Sequence, residues 1–255
     1  MRSTAVGAIG RRNWFAAVTC GAVVTALLSS CGEQGPDGAL EFEQGDLDSA
    51  PVPGARRVAI LNIQEQGALD TRYRVASTLT AHNPAQALTL GFSAEGVELT
   101  PPKENFRLGM RATNVRCDEQ AISLGAVPPQ RIEHVHGAEY ARVAGPARFA
   151  EWYINGPAGL EQGFRLESSP CKLGAQVGIE VAFEGLRPAN VGDRVLLADE
   201  GGNVQVQCTD WFAIDALGKD LPIVLLVGDG AVTIRIDVAD ARWPVQVDPI
   251  LWRRW

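Results

Sequence analysis

From residue 56 to 249, apolar and polar residues alternate with a period of two, the pattern of strands with one buried face. In 106–114 (FRLGMRATN), Phe106, Leu108, Met110 and Ala112 fall on one side, and Arg107, Gly109 and Arg111 on the other. Val177, Ile179, Val181 and Phe183 likewise share a face. PIVLLV and AVTIRIDV flank Gly228-Asp229-Gly230 and predict a hairpin. RVLLADEGGNVQVQC predicts another, turning through Glu200-Gly201-Gly202-Asn203. No long segment shows a convincing 3.6-residue repeat. Short strands punctuated by Gly, Pro, Asn and Asp predict an all-β fold, an antiparallel β-sandwich of one large or two small packed lobes. Pro128-Pro129 is the best internal boundary, between β-rich halves at 56–127 and 130–249, with 250–255 as a C-terminal tail. No internal repeat relates the halves, and the pattern leaves open whether they are two domains or one sandwich.

The first thirty residues follow a different rule. Arg2, Arg11 and Arg12 form a positive head without acids, and 14–28 is an uncharged apolar run. At fifteen residues this run is shorter than the roughly 20 a membrane span needs, and it reads as a secretory signal peptide over 1–30. Its end, Leu28-Ser29-Ser30-Cys31, resembles a bacterial lipobox. The resemblance implies cleavage before Cys31 and lipidation of that cysteine, anchoring the chain in the cell envelope, with the outer membrane expected. The plainer alternative is an ordinary signal peptide cut near Ser30. Arg11-Arg12 also faintly resembles a twin-arginine export signal.

Charge then separates a tether from a domain. The 255-residue chain has a formal net charge of −7; without the three arginines of 1–30 it would carry −10. Six acids and no base lie in 32–50, leaving −4 for 51–255. Glycine, self-repulsion and low β-propensity make 31–55 an acidic flexible tether behind the anchor. The acidic balance argues against a nucleic-acid partner, which demands clustered Lys and Arg.

Three stretches carry a family resemblance: HNPAQALTLGFSAEGVELTPP from His82, FAEWYINGPAGLEQGFRL from Phe149, and ARWPVQVDP from Ala241. Together they resemble the β-rich N-terminal module that precedes FG-GAP (integrin-α-like) repeats in large secreted proteins of myxobacteria and their relatives. The second stretch is the most specific, through E-W-Y-x-N-G-P-x-G-L-E-Q-G-F. Only six residues follow Pro249, so the expectation is the module without its repeats. The calcium and adhesion roles of those repeats are therefore not carried over, and the module brings no catalytic residues with it. On the residues alone, Trp152, Tyr153 and Ile154 predict a strand apolar on both faces, and 155–159 a compact turn. Gly163 marks a bulge or close approach, Glu161 and Gln162 meet turn amides or solvent, and Pro249 ends a last strand.

The chemistry-bearing residues are few. His134 and His136, read as one strand face, would offer two imidazoles but lack a third metal ligand nearby, so no metal is assigned. No nucleophile elbow, zincin helix, phosphate loop, dinucleotide turn or EF-hand appears, and no cofactor is implied. With Cys20 in the signal and Cys31 lipidated, Cys117, Cys171 and Cys208 remain, expected as one bridge and one thiol. Cys171–Cys208 is the favoured pair, with three free thiols the alternative. Trp211 and Phe212, with Trp252 and Trp255 around Arg253-Arg254, are the candidates for an exposed aromatic surface. The resulting expectation is a lipoprotein whose non-catalytic sandwich serves interaction or structure at the cell surface. The membrane is a partner through the anchor, and a surface protein or glycan is a further one. The alternative is a carbohydrate-binding or glycan-hydrolysing domain on an aromatic–carboxylate face.

Overall fold

The computed structural model describes residues 53–118, 120–171, 174–192 and 194–254. The signal segment, Cys31, nearly all of the tether and Trp255 lie outside the described residues. The described residues open with an α-helix, α1 (Pro53–Gly67), where the alternation predicted tether and strand. Pro sets the first helical φ at no hydrogen-bond cost. Ile60, Ile63, Gln64 and Gly67 are buried at helical spacing.

Seventeen strands follow. They are β1 (Thr80–Asn83), β2 (Leu88–Ser93), β3 (Gly96–Thr100), β4 (Leu108–Cys117), β5 (Gln120–Ser123) and β6 (Gln130–Ile132). Next come β7 (Gly137–Ala144), β8 (Ala147–Gly156), β9 (Gly159–Leu166), β10 (Gln176–Glu184), β11 (Arg187–Val191) and β12 (Arg194–Ala198). The last are β13 (Val204–Thr209), β14 (Ala213–Ile214), β15 (Ile223–Gly228), β16 (Ala231–Asp237) and β17 (Val245–Arg254).

They build an all-β antiparallel sandwich of two sheets. The first runs β1-β2-β3-β4-β10-β16-β15 with β5 beside β4; the second runs β11-β12-β13-β17-β9-β8-β7-β6 with β14 beside β17. The expected faces hold: Leu108, Met110 and Ala112 of β4 and Val177, Ile179, Val181 and Phe183 of β10 are buried in one core with the second sheet. Both predicted hairpins form, β12–β13 and β15–β16, the latter closing tightly on Asp229-Gly230. Because β4 pairs β10, strands from both sides of Pro128-Pro129 share a sheet.

Three expectations are corrected. Pro249 does not end the last strand: a register shift between Val247 and Ile250 absorbs it, and β17 continues to Arg254. A bulge lets a residue without an N–H sit in a ladder. The C-terminal tail is therefore a sheet interior, Trp252 facing Leu160 on one side and Cys208 on the other. His134 and His136 do not share a strand face either: Glu133–Val135 is a 3-10 turn, leaving His134 exposed and His136 buried.

Candidate functional site

The most specific sequence motif folds into the interior. Residues 147–166 form the β8–β9 hairpin, whose tight turn at Pro157-Ala158 has Gly159 at φ +142°, a conformation side chains resist. Glu151 on β8 is fully buried and is the hub of a polar network. It accepts from Arg142 Nη1 at 2.5 Å, Tyr153 Oη at 2.6 Å, Gln162 Nε2 at 3.0 Å and the Ala112 amide at 3.2 Å. The last bond crosses to the first sheet. Tyr140 makes a second crossing, donating to the Gly96 carbonyl at 2.9 Å. Arg142 is held on its other side by the Gly125 carbonyl at 3.1 Å and lies 4.8 Å from the Tyr140 ring centre. Trp252 Nε1 completes the network by donating to Gln162 Oε1 at 2.9 Å. Burial pushes both tyrosine hydroxyls above their ordinary range, and the Glu151 charge adds to it, so both stay protonated donors.

A second set of amides fixes the start of the sandwich. Asn83 donates to Asn155 Oδ1 and to the Gly156 carbonyl, at 2.8 and 2.9 Å, while Asn155 donates to the carbonyls of Tyr73 and His82. Gln64 of α1 accepts from the Ala158 amide at 3.2 Å and so docks the helix on the hairpin turn. Gln86 accepts from the Arg254 amide at 2.9 Å. Gln162, expected at turn amides or solvent, and Glu161 are both buried instead. Gly163 is a close approach, as expected: a Cβ there would lie 1.9 Å from Trp152 Cζ2.

Among the described residues the aromatic candidates do not form one exposed surface. Trp252 is fully buried, with Phe183 and Trp211 edge-on to it at 5.4 and 6.2 Å. Trp211 is partly buried against the same core, and Phe212 has the Arg57 guanidinium 5.9 Å from its ring centre. The burial of Trp252 follows from β17 lying between β9 and β13. Arg254 is tied to Glu104 at 2.5 Å.

The disulfide joins Cys117 to Cys171, not Cys171 to Cys208, with the Cα atoms 5.5 Å apart. The reason is topological. β10 pairs β4, so the segment leading into β10 passes the end of β4, where Cys117 sits. Cys208 is a free thiol inside β13, its pKa pushed far up by burial.

A shallow cleft of about 350 Å³ is lined by Arg74, Ala76, Ser77 and Arg131, which suits an anionic group in charge alone. His136 lies deeper, with neither ring nitrogen hydrogen-bonded, and burial holds its pKa below the ordinary imidazole range. No group of His, Cys, Asp and Glu among the described residues is arranged to hold a metal ion. No helix of the described residues is long and apolar enough to cross a membrane.

No family model matches the sequence, and no curated protein matches it. Among solved structures, a mutant of the glycoside hydrolase family 81 enzyme from Clostridium thermocellum is similar at 12% identity and a TM-score of 0.28. That match covers 70% of this chain and 23% of the hydrolase.

Proposed function

We propose that the chain is a lipoprotein of the cell envelope, held by Cys31, whose β-sandwich is a non-catalytic interaction or structural module at the cell surface. The observation that carries the reading is where the motif spends its chemistry. Glu151, Asn155, Glu161 and Gln162, the polar residues that could have formed a reactive face, are buried, and Trp152 and Trp252 are buried with them. A binding or hydrolytic glycan site needs carboxylates and aromatic rings that substrate can reach. The resemblance to the module before FG-GAP repeats supports the same role, since that family offers no established enzymatic activity or catalytic residues to transfer.

The test has two arms in the native host. Labelled palmitate entering the wild-type chain but not Cys31→Ser, with wild type in the membrane fraction, supports the anchor; a soluble, unlabelled wild type overturns it. A hydrolase panel and glycan array address the module, and steady turnover of any glycan overturns the non-catalytic reading.

A further inference from the structure

The margins of the two sheets differ in a way that singles one out. An exposed strand edge offers unpaired amides to any passing strand, and proteins blunt such edges with brevity, charge or proline. β1 has four residues and is followed by Pro84; β6 has three, follows Pro128-Pro129 and contains Arg131; β11 begins with Arg187-Pro188. β5 and β14, each laddered to one strand, have four and two residues; β15 has six, IVLLVG, with no charge and no proline inside it.

Its ladder shows which groups are free. Gly228 pairs with Ala231 across the two-residue turn, and the Asp237 amide donates to the Pro222 carbonyl. In a two-residue hairpin the flanking residues form a hydrogen-bonded pair, and such pairs recur at every second position. Residues 222, 224, 226 and 228 therefore bond to β16. The amides and carbonyls of Ile223, Leu225 and Val227 point away from it, and no bond from them to another strand is seen among the described residues. Pro222 falls on the β16 side, so its missing N–H leaves the free edge intact. The side chains of 223, 225 and 227 pack on the core, while Val224 and Leu226 stand on the outer face, 48% and 44% exposed.

We propose that the β15 edge is a self-association site, where a second copy of this chain adds its own β15 antiparallel across a two-fold axis through Leu225. The strand is complementary to itself in that register. Ile223 meets Val227 of the other copy and Leu225 meets Leu225, giving six backbone hydrogen bonds from the three outward residues. On the outer face Val224 meets Leu226 of the other copy, and Leu226 meets Val224, in the close non-hydrogen-bonded positions where side chains touch. A two-fold contact uses one patch twice, so an uncharged strand symmetric in its free groups fits a copy of itself. The contact is about 20 Å long and one strand wide, below the roughly 1,200 Å² of a standard interface. The pairing is therefore weak in dilute solution and strengthened where copies share a surface. It deepens the interaction-module reading by naming the partner, but needs neither the anchor nor the absence of catalysis.

Sedimentation of the full-length chain from about 1 µM to about 1 mM should show reversible dimers. V224K/L226K, two changes at exposed positions that leave thermal unfolding in place, should weaken dimerisation at least about tenfold. Register is read by disulfide trapping: mixing Val224→Cys with Leu226→Cys chains should give mixed dimers in excess over either variant alone. A monomer throughout the range overturns the proposal, as do dimers unaffected by V224K/L226K. Trapping without the mixed preference, or an unrelated envelope strand captured by a chain that stays monomeric, overturns it as well. Loss of self-pairing with palmitate labelling and fractionation unchanged would sink this proposal and leave the anchored module standing.

Discussion

Removing the charge from Glu151 should be among the most damaging single changes in the molecule. Its carboxylate is wholly buried, and Arg142 beside it is nearly so. Glu151→Leu strands that guanidinium in the interior, at a cost of about 3–5 kcal/mol. The Tyr153 hydroxyl, the Gln162 amide and the Ala112 N–H lose an acceptor at the same time. Against a total stability of about 5–15 kcal/mol, such a loss consumes a large share. At about 2–4 °C per kcal/mol for a domain of this size, the melting temperature should fall by about 6–20 °C. Arg142→Met leaves the charge on the other partner and should cost a similar amount. The double variant should cost less than the two singles combined, by about 2 kcal/mol of coupling. It should still fall short of wild type, because the Tyr153 hydroxyl and the Ala112 amide lose their acceptor, while Gln162 keeps only its bond to Tyr153 Oη. Urea unfolding followed by tryptophan fluorescence measures all four corners, since Trp152 and Trp252 are buried reporters. A single-variant cost under about 1 kcal/mol, or strict additivity in the cycle, would refute the claim that this pair is coupled and holds the sandwich together.

Gly163→Ala should destabilise by about 3 kcal/mol, because the new methyl enters the Trp152 ring, and Trp152→Leu in the same chain should recover part of it. Non-reducing peptide mapping should recover Cys117 joined to Cys171, with Cys208 alkylated only after unfolding. Opening that bridge, which spans 54 residues, should cost up to about 4 kcal/mol on the loop-entropy estimate. Burial keeps His136 neutral in the fold where the unfolded chain takes up a proton. Its contribution is therefore complete above the unfolded imidazole range, begins to be lost as pH falls below about 6.5, and is gone once pH is below the depressed folded pKa. His136→Asn, an amide that tolerates the left-handed backbone there (φ 53°), should flatten the drop in melting temperature between pH 7.5 and 5.

The sandwich was legible because its strands obey the simplest rule, one face in and one face out, over β4, β10 and β16. The helix was not, because Gln64 and Gly67 occupy half of its buried stripe and erase the apolar spacing. The last strand was misread at Pro249 because proline reads as a terminator locally, whereas the bulge that accommodates it is set by β9. The disulfide was misassigned for a similar reason. Flanking one hairpin region favours pairing Cys171 with Cys208, but the pairing of β4 with β10, a contact between distant segments, decides which thiols meet. The polar motif residues were visible as unusual, yet nothing local distinguishes a glutamate aimed at a ligand from one aimed at an arginine nine positions away across a hairpin.

That ambiguity bears on why the interior carries charge at all. A buried ion pair gains little over a well-packed apolar substitute, so stability alone does not account for Arg142 and Glu151. What the network adds is discrimination between packings. An apolar contact tolerates a strand sliding by two residues, since the same face stays inward. A carboxylate that must reach Arg142, Tyr153, Gln162 and the Ala112 amide does not tolerate it. Through Gln162 the constraint passes to Trp252, beyond the register shift where β17 could otherwise pair with β9 in more than one way. Tyr140 and Ala112 carry it to the other sheet. The E-W-Y-x-N-G-P-x-G-L-E-Q-G-F segment thus acts as a registry device. Glu151, Tyr153 and Gln162 within it tie the two sheets and the terminal strand into one arrangement.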